Sequence, residues 1–503
     1  MKKTTALVLY VLICITSLAA QGPAPTWFKI SDMGFDDEEG GVIAVDEHNC
    51  YYDLIWGINY TVPHTQNCVV KYDSMGQIVW RTFLPYPAST KPDSIIQLLR
   101  DLIYSNDQHL YVASPILGEV NYEILIHKIN TAGQIVWQKS YGFDNDSVTV
   151  GFYGLTPAVN GNGLIIAGRT TNAYPNRRLL LMRIDSTGAM LWKRLYTIPP
   201  NHVGFGIPVV QMPNGDIKIA FDNGWLADFK DYWISLDSLG NEQLVRKSAF
   251  NESCKDLALH PNGNLVYLSE EDNAQQNQKD GMRTHMLTPD LDTLWTRLFY
   301  DYDPPYYFIR GSARNISIAP DGKILVSGFN TMHCALVCYS PTGEMLWTRE
   351  VVMPDELGNC TFNYACWSDD GRSILLDGIL YGINENGNTD SRKTFFIKLS
   401  DVGCLTPGCA QTILTSTKDG RQAGVKEFSV MPNPTHGPAK ILSTDNNTDY
   451  TIRIFDNAGR LIHEEFQPEP VTTFDLGTQP PGIYHILFYK GDGRIVREKI
   501  VKI

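Results

Sequence analysis

The sequence predicts an all-β chain, a seven-bladed β-propeller followed by a small β-sandwich. Three observations lead there: a strand–turn–strand segment that recurs every 51 to 57 residues, a second turn signal inside each repeat, and a change of pattern at Phe428.

The recurring segment is clearest as Asp73-Ser-Met-Gly-Gln-Ile-Val-Trp80, Asn130-Thr-Ala-Gly-Gln-Ile-Val-Trp137, Asp185-Ser-Thr-Gly-Ala-Met-Leu-Trp192 and Ser340-Pro-Thr-Gly-Glu-Met-Leu-Trp347. Weaker copies run from Asp237 to Leu244 and from Asp290 to Trp295, and a seventh starts at Ser400 and breaks off after Gly403. Each copy follows an alternating apolar stretch such as Leu179–Ile184, so the unit reads as strand, tight turn with glycine at positive φ, strand. A second hairpin signal lies upstream in each repeat. It is Asn160-Gly-Asn-Gly163, Pro213-Asn-Gly215, Pro261-Asn-Gly263, Pro320-Asp-Gly322 or Asp369-Asp-Gly371, with His48-Asn49 and Asp107-Gln108 in the same place without glycine. Four strands per unit suit a propeller blade better than a stacked solenoid.

The count also closes. The seventh repeat has no tryptophan strand after Gly403, and Thr26-Trp27-Phe-Lys-Ile30 near the N-terminus aligns with the strand around Trp137. Lending that strand to the last blade shuts the ring without a raw sheet edge. The repeat, with its Lys-x-Asp-Ser-x-Gly turn, resembles the SBBP-type β-propeller repeats of exported bacterial proteins over residues 26–403. That resemblance implies a fold and says almost nothing about activity.

The N-terminus has the form of a secretory signal peptide over residues 1–20: Lys2 and Lys3, an apolar run from Ala6 to Leu18, and Ala19-Ala20-Gln21. Cleavage is expected between Ala20 and Gln21. The run is too short for a bilayer span, which needs about 20 residues. Cys14 follows Ile13 rather than a small residue, which argues against lipidation. No transmembrane segment is expected in the mature chain. Its formal charge, −13 before loss of Lys2 and Lys3, speaks against nucleic acid and anionic lipid as partners. Nine cysteines remain after Cys14. Cys404/Cys409, Cys360/Cys366 and Cys50/Cys68 are close enough in sequence to pair in an exported protein, although proximity does not fix pairing.

From Phe428 the pattern changes to Val430-Met-Pro-Asn-Pro434, Asp456-Asn-Ala-Gly-Arg460, Pro481-Gly-Ile-Tyr484 and the basic end Lys499-Ile-Val-Lys-Ile503. Short alternating strands between Asn, Asp, Gly and Pro turns suit an immunoglobulin-like sandwich. In order and placement these motifs resemble the type A C-terminal sorting domain of the type IX secretion system. The resemblance implies export through the periplasm to the cell surface or medium, with residues 428–503 read by the secretion machinery. Residues 21–411 are then the propeller, and the polar stretch 412–427 a linker open to cleavage. A generic accessory sandwich is the alternative.

Chemistry is sparse. The sequence lacks His-Glu-x-x-His, Cys-x-x-Cys, an EF-hand loop, a Gly-x-Ser-x-Gly elbow and a P-loop, so no cofactor, metal or catalytic residue is assigned. The repeat is similar to the turn motif of quinone-dependent dehydrogenase propellers, where it is structural, and to the Asp-box of sialidases, whose order it does not keep. Arg310 is a single arginine where a sialidase needs a cluster. Acidic groups at 36–39, 144–146 and 301–303 have oxygen ligands suited to calcium, or are solvated turns.

Both turns of every blade fall on one face. The connections around 85–95, 170–177, 223–231, 269–283, 300–310 and 381–392 fall on the other, where they are longer and irregular. Variable loops on a rigid scaffold are where recognition resides. Tyr174, Trp225, Tyr302, Tyr306, Tyr307, Arg310 and Tyr381 therefore form the candidate ligand face, toward an extracellular glycan or protein. Two function classes stay open: a non-catalytic binding or structural protein, and an extracellular propeller enzyme acting on glycan or a small molecule.

Overall fold

The computed structural model describes residues 26–31, 33–59, 64–85, 101–117, 122–142, 150–159, 163–170, 178–197, 206–222, 231–248, 252–271, 281–299, 312–329, 333–352, 359–383, 389–405, 409, 412–413, 428–431, 435–443, 450–456, 460–466, 471–490 and 495–502. The elements among them are β-strands, and the chain divides into two compact units, Met1–Gly403 and Cys404–Ile503.

Among the described residues, the first unit holds seven antiparallel sheets. Blade 1 is Asp37–Val45, Tyr51–Asn59, His64–Tyr72 and Ile78–Phe83, in that order from one edge to the other. Blades 2 to 6 repeat the arrangement over residues 101–141, 150–196, 209–247, 252–299 and 312–352. The first strand of each blade touches the first strands of its two neighbours, and that of blade 7 touches that of blade 1. Seven first strands thus surround an axis, which is the propeller arrangement.

Blade 7 takes three strands from 359–400 and its fourth from the N-terminus. Trp27 pairs with Lys398 and Ile30 with Phe395, antiparallel, and Ser31 N–H donates to Thr394 O at 2.7 Å. Closure by the N-terminal strand therefore occurs as the repeat count requires.

The turn consensus has a physical reason at each position. In Asp73-Ser-Met-Gly76 the Asp73 carboxylate accepts from the Met75 and Gln77 N–H groups, both at 2.9 Å, and shapes the turn. Asn130, Asp185 and Asp237 do the same in their own blades. The exposed Ser74 carbonyl then receives two donors from the preceding blade, the Trp27 indole N–H at 3.1 Å and Lys398 Nζ at 3.2 Å. Thr131 O receives Trp80 and Lys71, and Ser186 O receives Trp137 and Lys128, in the same way. Each tryptophan ring lies against the next blade's turn glycine. A Cβ on Gly133, at φ 85°, would come within 2.8 Å of the Trp80 ring. Blade 4 carries Leu244 in place of the tryptophan, and the facing turn of blade 5 carries Leu291 at φ 64° in place of the glycine. The two leucines pack in one cluster. A small ring-less side chain leaves room that a Cβ fills, so the two positions change together.

Trp80, Trp137, Trp192, Trp295 and Trp347 are expected to be largely buried between blades. They do occupy equivalent outer-strand positions, but they are half-buried, because the outer strand lies at the rim and one ring edge meets solvent. Trp27 is the most enclosed, at 9 % exposure. The upstream turns place one residue at positive φ in every blade, Asn49 and Gln108 included, at 55° and 59°.

In the second unit Phe428–Met431, Pro438–Ser443 and Val471–Asp475 form one sheet. Tyr450–Phe455, Leu461–Phe466, Gly482–Lys490 and Ile495–Lys502 form the other. Tyr450, Ile452 and Ile454 alternate inward and share a core with Phe428, Ile441, Phe474, Ile486 and Phe488, which makes a sandwich. Cys404 and Cys409 are disulfide-bonded, whereas Cys50, Cys68, Cys360 and Cys366 are free thiols. Cys360 and Cys366 lie on one extended strand, about 20 Å apart at 3.3 Å per residue, which is too far to bridge. Cys68 faces Ile55, well along the strand from Cys50, and is excluded on the same ground.

Replacing Gly133 by alanine is expected to destabilise the propeller by about 2 kcal/mol, combining positive-φ strain with pressure on Trp80. Gly263→Ala has the same sign of φ but open space around it, and should cost about 1 kcal/mol. Denaturant unfolding of the two variants measures the difference, and equal losses would remove the ring contact from the account. Deleting residues 21–32 uncovers the Thr389–Ser400 edge and should lower the thermal midpoint and promote aggregation, read by light scattering.

Candidate functional site

Of the sequence-predicted ligand face, Tyr174, Trp225, Tyr302, Tyr306, Tyr307 and Arg310 lie outside the described residues, as do Ala20 and Gln21. Tyr381 is described. It lies near the end of Ser373–Ile383, opposite Asn359 and Arg392, half-buried, and its hydroxyl accepts from Thr361 Oγ1 at 3.4 Å.

The acidic run at 36–39 is largely strand rather than a solvated turn, and its carboxylates are engaged. Glu38 is fully buried and accepts from Met33 N–H, with Lys393 Nζ at 3.5 Å. Arg392 donates its backbone N–H to Asp37 at 2.8 Å and its guanidinium to Glu39 at 3.2 Å. These contacts tie blade 7 to blade 1. The other two acidic groups, 144–146 and 301–303, lie outside the described residues. Among the described residues no three metal-ligating side chains come together.

What the structure does bring together lies on the axis. Five first strands carry a bulge, and in two of them the residue after it reaches the neighbouring blade. Asp256 after such a bulge accepts from Ile316 N–H of blade 6 at 2.7 Å, and Asn315 accepts from Ala365 N–H of blade 7 at 3.1 Å. Asp101 stands at the same distance before its turn in blade 2. Burial pushes its carboxyl up to about 7, with the charge of Asp256 adding and the Leu102 N–H opposing. Burial also pushes Asp256 up to about 6, against the Ile316 and Leu257 N–H groups.

Nearer the turns, the axis opens into a pocket of about 330 Å³ on the face that carries the short glycine turns. Ile43 and Val45 of blade 1, Leu259 and Pro261 of blade 5, Ile318 and Pro320 of blade 6, and Trp367 and Asp369 of blade 7 line it. Val45, Leu259, Ile318 and Trp367 each stand four residues before the positive-φ residue of their turn. Two residues further on, blades 5 and 6 place prolines and blade 7 places Asp369. Trp367 is 4 % exposed, and its indole N–H is enclosed without a hydrogen-bond partner among the described residues. Partial burial raises the Asp369 carboxyl, with the charges of Asp370, Glu47 and Asp46 adding. Cys366, also in the lining, has its thiol pushed far up by burial, which removes it as a nucleophile near neutrality. Sequence reasoning missed this pocket because it followed loop variability. The available signal was the loss of Pro in the last repeat, where Asp369-Asp370 replaces Pro-Asn or Pro-Asp.

In the second unit, Asp456 accepts the Arg460 backbone N–H at 2.8 Å and meets its guanidinium at 3.1 Å, which explains the Asp-x-x-Gly-Arg spacing as a hairpin clasp. The Tyr484 hydroxyl donates to Pro480 O at 2.6 Å, fixing the Gly-Ile-Tyr strand to its approach. Pro432-Asn-Pro434 lies outside the described residues. Residues 429–502 match the family model of the secretion system C-terminal sorting domain. This segment is a secretion-system sorting domain. A sorting domain of this kind marks the chain as a secreted or cell-surface protein.

No curated protein matches the chain. Among solved structures, a virginiamycin B lyase from Staphylococcus aureus, crystallised in a catalytically inactive form with quinupristin, is 13 % identical. The match covers 74 % of this chain and 99 % of that one, with a TM-score of 0.40. The β-propeller domain of the Trilobed protease from Pyrococcus furiosus is 8 % identical over 73 % and 96 % of the two chains, TM-score 0.42. A protein of unknown function from Bacteroides caccae is 12 % identical over 56 % and 89 %, TM-score 0.35.

The raised carboxyls set a pH dependence. Asp101 and Asp256 hold protons in the folded chain at pH values where the unfolded chain has released them, so unfolding free energy falls as pH rises from about 4 through 7. The thermal midpoint should drop between pH 5 and pH 8, and Asp101→Asn should flatten that slope. An unchanged slope in the variant would assign the dependence elsewhere.

Proposed function

We propose that this chain is a cargo of the type IX secretion system, and that its propeller is a non-catalytic binding or structural module working outside the cell. The observation that carries the export half is the sorting domain itself, matched over residues 429–502 and built around its own core. Residues 1–20 are proposed to open the route to the periplasm, with cleavage between Ala20 and Gln21, and residues 428–503 to be read by the exporter. Residues 412–427 are the proposed cleavage linker; Thr412–Ile413 forms a two-residue strand and 414–427 lie outside the described residues.

The binding half rests on the kind of site present. The axial pocket has apolar walls, one carboxylate at its rim and a buried thiol, without a paired nucleophile and base. That composition supports recognition as the reading. The ligand on the variable face is proposed to be an extracellular glycan or protein.

Truncation after residue 425 should leave folded protein in the periplasm, and residues 412–503 fused to a periplasmic reporter should carry it outside a host that has the secretion system. Arrival of the truncated chain in the medium would overturn the export reading. A glycan and protein array probed with the mature chain, 21–503, tests the binding reading, while turnover of an arrayed glycan would replace it with an enzyme.

A further inference from the structure

Two carboxyls meet inside the seam that closes the ring. Asp53, on Tyr51–Asn59 of blade 1, and Asp377, on Ser373–Ile383 of blade 7, are both fully buried. They converge on Gly40. Asp53 Oδ2 lies 3.1 Å and Asp377 Oδ2 3.2 Å from the point where a Cβ on that glycine would stand. The Thr394 methyl lies 2.6 Å from the same point, so these three side chains fill the face that Gly40 leaves bare. Among the described residues no donor reaches either Asp377 oxygen, and the enclosed Thr394 hydroxyl has no hydrogen-bond partner.

The cations nearby are committed elsewhere. Lys393 Nζ goes to Phe35 O and Glu38, Arg392 to Asp37 and Glu39, and Lys398 Nζ to Ser74 O. The titratable groups that face the pair are Tyr72 and Cys68 of blade 1 and Tyr364 and Cys366 of blade 7. Burial holds all four neutral, and the charge of Asp53 or Asp377 adds to the effect in each case. Glu38, which also acts on Tyr72 and Cys68, brings a further negative charge.

Two carboxylates side by side in a dry interior cannot both stay ionised without a cation. A metal ion needs several oxygens and room for them. Among the described residues no three metal-ligating side chains come together, and the Thr394 methyl occupies the shared face. A proton needs neither ligands nor room.

We propose that Asp53 and Asp377 share one proton, the protonated carboxyl of one donating to the carboxylate of the other across the seam between blades 1 and 7. The hydrogen bond joins strands from opposite ends of the chain, and it exists only while the proton is held. Closure of the ring is thereby sensitive to pH. Burial pushes the Asp377 carboxyl up to about 8, with the Tyr364 and Asp377 N–H groups opposing. A folded value raised above the unfolded one fixes the sign. The contribution is complete below the unfolded value of about 4, shrinks above it, and is gone once pH has risen through the folded value.

Proton release on unfolding tests this, counted with a pH indicator while guanidinium unfolds the mature chain, 21–503, at pH 7. The parent should release about one proton more than Asp377→Asn, whose new amide can donate to Asp53 and keep the hydrogen bond without the proton. Asp53→Asn should lower the count equally, and it stands in if the first variant fails to fold. At pH 9.5 the difference should vanish. In the parent alone, the infrared band of protonated carboxyls should shrink between pH 7.5 and pH 9.5, and Asp377→Asn should lose that change. Equal proton counts at pH 7 in parent and variants would mean that both carboxyls are ionised, and would overturn the proposal. A parent band that stays constant over the same pH interval would overturn it without any variant.

Discussion

Everything in the propeller depends on one contact between neighbouring blades. An outer-strand tryptophan and a lysine from the strand beside it donate to a single carbonyl in the next blade's turn, and the ring lies on that turn's glycine. The carbonyl is exposed because the Asp or Asn that opens the turn satisfies the turn's amides itself. One short motif therefore shapes a hairpin and orients the acceptor, and its lysine and tryptophan reach across to the next blade. That economy explains why the motif recurs while the strands between copies vary in sequence. It also explains Leu244 and Leu291, where the ring and the glycine are both replaced and the contact becomes apolar.

Closure places the heaviest demand on this contact. A propeller has no covalent bond between its last blade and its first, so the ring must be held by side chains and by sheet pairing. Here Trp27–Ile30 completes blade 7 while the Trp27 indole and Lys398 reach the blade 1 turn. Arg392 and Lys393 add ion pairs to Asp37, Glu39 and Glu38 across the same seam. The seam that lacks chain continuity is thus held by several charge-assisted hydrogen bonds, which are stronger than neutral ones.

The axis carries a different logic. Asp101, Asp256 and Asn315 lock first strand to first strand through backbone amides, and the two aspartate carboxyls are held toward their neutral form. Toward the turns the lock gives way to the pocket, whose walls are ordinary blade positions made unlike one another. Leu259, Ile318 and Trp367 are one structural position in three blades, as are Pro261, Pro320 and Asp369. A pocket built by varying a repeat in place needs no extra loop, which is why loop length did not point to it. The sandwich at the C-terminus follows its own rules, with a core of stacked aromatics, Phe428 on Phe488 at 3.9 Å, and hairpins clasped by Asp456 and Arg460.

The sequence by itself determined the blade unit, both turn positions, the borrowing of the N-terminal strand and the sorting domain. These are local or periodic properties: side-chain alternation, glycine at positive φ and a motif repeated at a constant interval are written in consecutive residues. Even Asn49 and Gln108 were legible, since position in the repeat identified them when composition did not. Only the tertiary structure decided what converges from blades far apart in the chain. Pairing of Cys404 with Cys409 and the separation of Cys360 from Cys366 depend on where strands run, not on spacing. The engagement of the 36–39 carboxylates by Arg392 and Lys393 spans more than 350 residues. The pocket at Trp367 and Asp369 needs Ile43 and Leu259 beside them, and that adjacency exists only once the ring has closed.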